Sequence, residues 1–141
     1  MECQLEHANI TVINMERAIA FITTAFPHFR VRGEGRSDHG EWRKHWLHLG
    51  TDAIYIALEE TTKAGKTARR PEDETGINHV GFVIEDVEDI QRKMQAAGFA
   101  CAVDASHPFR KRMYVTDHDR ITWEFIEYLS DNLAERNDYT L

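Results

Sequence analysis

The sequence predicts an α+β fold of two βαβββ modules in pseudo-repeat, residues 5–59 and 77–129, within a single domain of 141 residues. An alternating apolar strand that carries a histidine near its start occurs twice, and the two histidines, His7 and His79, are in register. Each copy is followed by a capped amphipathic helix and by further strand segments. The 42% hydrophobic content is enough for a core without disulfides.

The first module opens with a strand in which His7, Asn9 and Thr11 share one face, because side chains alternate along a strand. If that face lines a cavity, all three side chains point into it. Asn14 is the predicted N-cap of a helix over residues 15–25, since its side chain can accept a hydrogen bond from a first-turn N–H.

The rest of the first module is predicted as strands separated by turns. A short strand over residues 29–32 precedes a loop over residues 33–40, where three glycines and polar residues interrupt the apolar pattern. Strands over residues 41–49 and 53–59 form a hairpin. The polar residues 60–76 are predicted to be a linker between the modules.

The second module repeats this order. After a strand over residues 77–84, Asp86 is the predicted N-cap of a helix that ends near Ala97, with Gly98 as the C-terminal glycine. The later strands are predicted at residues 99–103, 111–116 and 121–129.

Charge and composition exclude several classes of protein. The net charge of −7 argues against nucleic-acid binding, which relies on clustered basic side chains. The short basic run 110–112 is predicted to be a solvated hairpin flank or an anchor for an anionic substrate. Cys3 and Cys101 give neither a disulfide framework nor a zinc spacing, and no run of ~18 apolar residues is present. A cytoplasmic protein without membrane contact is expected.

The order of strands, the paired histidines, the helix opening at residues 14–21 and the segment 117–124 resemble the vicinal oxygen chelate superfamily. The resemblance covers roughly residues 5–129. That superfamily contains glyoxalase I, extradiol dioxygenases, fosfomycin-modifying thiol transferases and bleomycin-binding proteins. It implies a glyoxalase-like fold in which curved mixed sheets surround a metal-binding cavity. Arg120 stands where the family's turn commonly has glycine, which leaves the turn geometry open.

The resemblance implies that His7, His79 and Glu124 bind a divalent cation, which could be Zn, Ni, Mn or Fe. Two neutral imidazoles and one carboxylate leave the other positions of the metal open for substrate. Glu124 lies between Trp123 and Phe125, where a buried carboxylate is costly without a cation or another partner.

The reaction branch stays open at this point. Aligning the two hairpins puts Ala57 where glyoxalase I carries a further glutamate ligand, which disfavours that mechanism, and Glu59 is the candidate base on the same face. Tyr114, ten residues before Glu124, is the candidate hydrogen-bond donor to a developing oxyanion. Lyase or isomerase, dioxygenase and thiol-transferase chemistry all remain. The residues expected to bind the small-molecule substrate are Asn9, Thr11, Trp46, Tyr55 and Arg112.

The alternative is a metal-free binding or resistance protein of the bleomycin-resistance type. Such a protein would hold an aromatic ligand between Trp42, Trp46, Tyr55 and Trp123. A complete ligand triad favours the metal-dependent enzyme. The resemblance also implies a homodimer in which the two modules around one metal come from different subunits. The polar tail, residues 130–141, is expected to be a flexible arm or a lid.

Overall fold

The computed structural model describes residues 3–62 and 75–140. The chain divides into two compact units, Met1–Ala68 and Arg69–Leu141, and each is described by itself. Each unit holds a four-stranded mixed sheet and a helix of ten or more residues, so the predicted α+β fold of two similar modules is confirmed. Most of the predicted linker 60–76 lies outside the described residues.

The first unit has strand order β1-β4-β3-β2, with β1 parallel to β4 and the other pairs antiparallel. His7, Asn9 and Thr11 share the exposed face of β1 as predicted, and Val12 points into the core. The elements of this unit are β1 (His7–Val12), α1 (Met15–Ala25), β2 (Arg30–Asp38), β3 (Arg43–Gly50) and β4 (Tyr55–Thr61).

The second unit repeats the same topology, with strand order β5-β8-β7-β6 and β5 parallel to β8. Its core is built on Met94, Met113 and Phe125, none of which is exposed to solvent. No helix in the described part of the chain is long and apolar enough to cross a membrane. The elements are β5 (His79–Val83), α2 (Val87–Ala96), β6 (Val103–Asp104), β7 (Arg110–Thr116), β8 (Thr122–Tyr128) and α3 (Leu133–Arg136).

Both predicted helix caps are present. The Asn14 side chain accepts a hydrogen bond from the Arg17 N–H at 2.9 Å, and Asp86 accepts from the Asp89 N–H at 2.8 Å. Gly98 follows α2 with a φ of 93°, the left-handed conformation that a C-terminal glycine tolerates.

Each helix start is also tied to the last strand of its own unit. Glu60 Oε2 accepts a hydrogen bond from the Met15 N–H at 3.1 Å, and Glu127 Oε2 accepts from the Val87 N–H at 3.0 Å. A carboxylate at this position satisfies an unpaired backbone donor and complements the positive end of the helix dipole. These glutamates therefore fix each helix against its sheet.

The predicted loop over residues 33–40 is wrong for its first six residues, which continue β2. The Trp46 side chain lies over this part of the strand, and a Cβ added to Gly35 would approach the indole to 2.7 Å. The pairing with β3 resumes after a register shift between Val31 and Gly33. Gly35 thus makes room for the Trp46 side chain, and the strand continues through it.

The predicted strand 99–103 is also largely wrong, because only its last residue belongs to β6. The Phe99 N–H donates to the Met94 carbonyl at 3.0 Å and so closes the end of α2. The Cys101 carbonyl accepts from Gln95 Nε2 at 3.0 Å. These backbone groups serve the end of the helix and are not available for sheet pairing.

Two predictions about the C-terminal region are corrected by buried polar side chains. Arg110 is 6% exposed, so the basic run is not a solvated flank. Its Nη1 donates to the Arg136 carbonyl at 2.9 Å, and His107 Nε2 lies 3.1 Å from the Asp138 carbonyl. The tail is therefore attached to the second unit and is not a flexible arm.

Candidate metal centre

Glu124 lies at the centre of the candidate site in the second unit. Strand pairing places it opposite Gly81 of β5 and opposite Tyr114 of β7. The residue is 8% exposed, and its neighbours Trp123 and Phe125 are in the core. A Cβ on Gly81 would meet Glu124 Oε2 at 3.3 Å, so glycine leaves the room that the carboxylate occupies.

His79 faces this carboxylate through Nε2. Its Nδ1 lies 2.9 Å from Asn78 Oδ1, and its Nε2 lies 3.3 Å from Glu124 Oε2. A proton on Nδ1 can be donated to the Asn78 oxygen, and in that tautomer the Nε2 lone pair is available to a metal. Two ligand atoms on bonds of about 2.1 Å to one metal stand roughly 3.0–3.4 Å apart. The pair fits a shared divalent cation.

Tyr114 completes the cluster. Its hydroxyl donates to Glu124 Oε1 at 2.5 Å, and its ring packs edge-on against His79 with centroids 5.7 Å apart. Burial, followed by the hydrogen bond to Glu124, raises the pKa of the Tyr114 phenol. The phenol therefore keeps its proton at neutral pH, and because the residue is 45% exposed, an incoming molecule can reach it.

His7 in the first unit is oriented in the same way as His79. Its Nδ1 lies 3.0 Å from Glu6 Oε2, and its ring stacks on Tyr55 with centroids 4.6 Å apart and an interplanar angle of 14°. In both units a side-chain oxygen of the preceding residue thus holds Nδ1 and leaves Nε2 for a metal. Sequence reasoning missed Glu6 and Asn78, whose position directly before each histidine is a signal that could have found them.

Ala57 of β4 and Glu124 of β8 occupy equivalent positions. Each pairs with the residue two positions after the histidine of its unit, which is Asn9 in the first unit and Gly81 in the second. This register agrees with the hairpin alignment made from sequence. On the next strand, His48 lies opposite Ala57, where the second unit has its tyrosine.

Glu59, the candidate base, is engaged in an ion pair. Its Oε1 accepts from Lys44 Nζ at 3.1 Å and from Asn9 Nδ2 at 3.4 Å, and its side chain is 27% exposed. Thr11 pairs with Glu59 across β1 and β4 and is exposed. Asn9, Thr11 and Glu59 therefore lie together on the sheet of the first unit.

Tyr55, His48 and Trp46 form one aromatic group on the sheet of the first unit. The Tyr55 ring is buried, lies 4.6 Å from the His48 ring and has the Arg32 guanidinium 4.3 Å from its centroid. The Trp46 ring is tilted against His48 at 5.1 Å. Trp42 lies outside the strands, in the connection between β2 and β3.

Trp123 does not belong to a ligand-binding wall. It is 2% exposed, and its indole N–H donates to Asp117 Oδ2 at 2.9 Å within the second unit. The predicted aromatic cage of the metal-free alternative therefore lacks this member. Arg112, a predicted substrate contact, donates to Asp104 Oδ2 at 3.3 Å, with its side chain 35% exposed.

Among the described residues, the three acidic side chains whose ligand atoms converge within 4.8 Å are Asp86, Glu88 and Glu127. Lys111 Nζ lies 2.8 Å from Glu88 Oε1 and 3.4 Å from Glu127 Oε1. The hydrogen bond from Lys111 lowers the pKa of the Glu88 carboxyl. The Lys111 ammonium group offsets part of this negative charge, and Asp86 and Glu127 hold the start of α2 through hydrogen bonds from backbone N–H groups.

Residues 4–125 match the Glyoxalase/Bleomycin resistance protein/Dioxygenase superfamily, and the chain belongs to it. Among solved structures, a glyoxylase/bleomycin resistance protein/dioxygenase domain from Frankia sp. EAN1pec is similar with a TM-score of 0.76 and 20% identity, over 91% of this chain and 99% of that one. A glyoxalase family protein from Bacillus cereus has a TM-score of 0.71 and 15% identity, over 92% and 97% of the two chains.

The fosfomycin resistance protein FosX from Listeria monocytogenes, complexed with Mn(II) and sulfate ion, is similar with a TM-score of 0.65 and 19% identity. The match covers 98% of this chain and 100% of that one. At these identities the likeness shows the fold. No curated protein matches the sequence.

Proposed function

We propose that the protein is a divalent-metal-dependent vicinal oxygen chelate enzyme that acts on a small oxygen-bearing substrate. The observation that carries the proposal is the approach of His79 Nε2 to Glu124 Oε2 at 3.3 Å, with Nδ1 of the same ring held by Asn78. His7 is the proposed third ligand, because Glu6 holds its Nδ1 in the same way. Two imidazoles and one carboxylate suit Zn, Mn, Fe or Ni and leave coordination positions open.

When bound, the cation would polarise the substrate's oxygen atoms and stabilise negative charge on them. The protein's own contribution is the Tyr114 phenol, which stays protonated and can donate a hydrogen bond beside the carboxylate of Glu124. The FosX protein of Listeria was crystallised with Mn(II), and a mutant form of it with Mn(II) and 1S,2S-dihydroxypropylphosphonic acid. Mn(II) is therefore the first cation to test.

The first unit bears on the reaction branch. Ala57 offers no carboxylate at the position that matches Glu124, and Glu59 is paired with Lys44. One oxygen of the Glu59 carboxylate already accepts two hydrogen bonds and is less available to take a proton from a substrate. These contacts favour dioxygenase or thiol-transferase chemistry over an isomerisation that depends on a second glutamate.

We further propose a homodimer in which His7 of one subunit meets His79 and Glu124 of the other. A shared site of this kind needs two chains for each complete ligand set. Sedimentation of the metal-loaded protein is expected to give twice the chain mass. A 16.4 kDa monomer that still binds metal would contradict the cross-subunit arrangement.

Elemental analysis of protein purified without a metal-affinity column tests the enzyme proposal. Wild type, His7→Ala and His79→Ala are then titrated with Zn²⁺, Mn²⁺, Ni²⁺ and Fe²⁺. Stoichiometric uptake by wild type and its loss in both variants are expected. If wild type holds no metal and takes none up, the enzyme proposal fails and a metal-free small-molecule binding or resistance protein replaces it.

A further inference from the structure

The first unit has an open space at the position where the second unit has its buried carboxylate. Ala57 lies at this position, and a cavity of about 300 Å³ opens over it. Its walls include Asn9, Lys44, His48 and Glu59. We refer to this cavity as the Ala57 pocket. The repeat of the backbone is therefore accompanied by a difference in chemistry between the two sheets.

The two charged groups of the Ala57 pocket are paired with each other. Lys44 Nζ and Asn9 Nδ2 each donate one hydrogen bond to Glu59 Oε1, so the ammonium charge is matched by a carboxylate within the wall. The groups that remain are the second carboxylate oxygen of Glu59, the side-chain carbonyl oxygen of Asn9, a His48 ring nitrogen and the other N–H groups of Lys44 and Asn9. The positive charge of Lys44 and the negative charge of Glu59 cancel in this lining.

An anionic ligand group would meet the Glu59 carboxylate and the Asn9 carbonyl, and burial of a charge without an unpaired counter-charge is costly. A hydroxyl group can donate to the same acceptors without that cost. The Trp46 and His48 rings form an aromatic side of the pocket. The lining thus complements an uncharged donor group.

The pocket is close to the proposed metal ligand His7. Asn9 is two residues further along β1 on the same face, which corresponds to roughly 7 Å. A small molecule held by a cation at His7 can therefore extend a short substituent into the pocket. This step rests on the proposed function.

We propose that the Ala57 pocket is the subsite for an uncharged, hydroxyl-bearing part of the substrate, and that it discriminates against a carboxylate or phosphonate at the same place.

Three hydroxamic acids with the same metal-chelating head test this proposal on the metal-loaded protein. Acetohydroxamic acid carries a methyl group, 2-hydroxyacetohydroxamic acid carries a hydroxymethyl group, and N-hydroxymalonamic acid carries a carboxylate. Calorimetric titration is expected to give the hydroxymethyl compound about five- to tenfold tighter binding than the methyl compound, the value of one added hydrogen bond. The carboxylate compound is expected to bind more weakly than both.

Two variants assign the preference to the pocket. Ala57→Val fills part of the space and is expected to bring the three affinities within about twofold of one another, with unchanged metal affinity. Glu59→Gln leaves Lys44 without its carboxylate partner, so the carboxylate compound is expected to become the tightest of the three. Because Glu59→Gln changes charge at constant size, it tests the proposal even if Ala57→Val fails to fold.

The outcomes separate this proposal from the function on which it rests. Absence of metal binding in the titrations overturns both. Normal metal binding together with tightest binding of the carboxylate compound by wild type overturns the subsite only. The subsite is also overturned if the order of affinities in Glu59→Gln is the same as in wild type.

Discussion

Ala57 and Glu124 are equivalent in strand register and opposite in chemistry. Each stands across from the residue two positions after its unit's histidine, but one position holds a methyl group and the other a carboxylate. The residues opposite them differ in the reverse sense. The small Ala57 faces the larger Asn9, whereas the large Glu124 faces Gly81. The second unit thus provides a buried carboxylate, and the first provides a pocket in which the charges of Lys44 and Glu59 are paired.

Gly81→Ala tests whether the position of the Glu124 carboxylate controls metal affinity. The new Cβ would lie 3.3 Å from Oε2, so the carboxylate must shift by a small amount. Metal affinity is expected to fall about tenfold, as for other groups that orient a ligand. Stability is expected to be unchanged or up to ~1 kcal/mol higher, because alanine restricts the unfolded chain. Metal titration and urea unfolding measure the two effects.

Val83→Ala is the matched control, because Val83 lies on the same face of β5, two residues further on, and is 65% exposed. It should bind metal like wild type. Equal metal affinity in Gly81→Ala and Val83→Ala would show that the carboxylate position is not critical.

Arg120→Gly is expected to stabilise the second unit. Arg120 has a φ of 63°, the left-handed conformation that glycine adopts without strain. Glycine relieves that strain but increases the entropy of the unfolded chain. The free energy of unfolding is therefore expected to rise by about 0.5–1 kcal/mol. Arg120→Ala keeps a Cβ and should give no gain. A similar gain in both variants by urea unfolding would attribute the effect to loss of the arginine and not to backbone strain.

Asp117 gives a pH dependence of stability with a defined sign. Burial raises the pKa of its carboxyl despite hydrogen bonds from Trp123 Nε1 and from the Ile121 and Asp119 N–H groups. The folded state therefore holds this proton more tightly than the unfolded state. The resulting stability is complete below the unfolded pKa of about 3.9 and is lost as pH rises through the folded pKa.

Asp117→Asn should remove this component, so urea midpoints from about pH 3 to about pH 7 should fall less with rising pH than in wild type. At neutral pH the variant should also lose about 1 kcal/mol, because an amide group replaces the acceptor for the Trp123 N–H. Parallel pH curves for variant and wild type would contradict the raised pKa.

Deletion of residues 130–141 should destabilise the second unit and leave the affinity for metal unchanged. Arg110 and His107 would lose the Arg136 and Asp138 carbonyls as partners. A hydrogen bond from a charged group is worth about 1.5–3 kcal/mol, and a loss of about 2–3 kcal/mol by urea unfolding is expected.

Deletion of residues 140–141 is the control for the tail, because it retains both carbonyls. It should cost less than about 0.5 kcal/mol. Weaker metal binding after the longer deletion would indicate that the tail acts as a lid on the site.

Periodicity and capping chemistry in the sequence were enough to predict the two modules. The alternation around His7 and His79 defined the first strand of each unit, and Asn14 and Asp86 marked the helix starts. These features depend on residues close together in the chain. They are confirmed because local preference and tertiary structure agree.

The errors arose where a distant residue decided the local structure. Gly35 is within a strand because Trp46 covers it from the neighbouring strand. Trp123 can lie in the core because its N–H donates a hydrogen bond to Asp117 across the turn. In the same way, no pattern along the chain indicates that Lys44 neutralises Glu59. Strand pairing brings these residues together, and their spacing in sequence does not reveal it.

Mn(II) binding by Glu124→Gln, compared with Glu127→Gln, tests the central claim most directly. Glu124 faces His79 Nε2, whereas Glu127 accepts a hydrogen bond from the Val87 N–H, so the two variants make the same change in charge at sites with different roles. The paramagnetic resonance signal of free Mn(II) measures the bound fraction. Glu124→Gln is expected to bind at least about tenfold more weakly than wild type, and Glu127→Gln to bind normally with lower stability. Equal Mn(II) affinity in Glu124→Gln and wild type would contradict the metal centre.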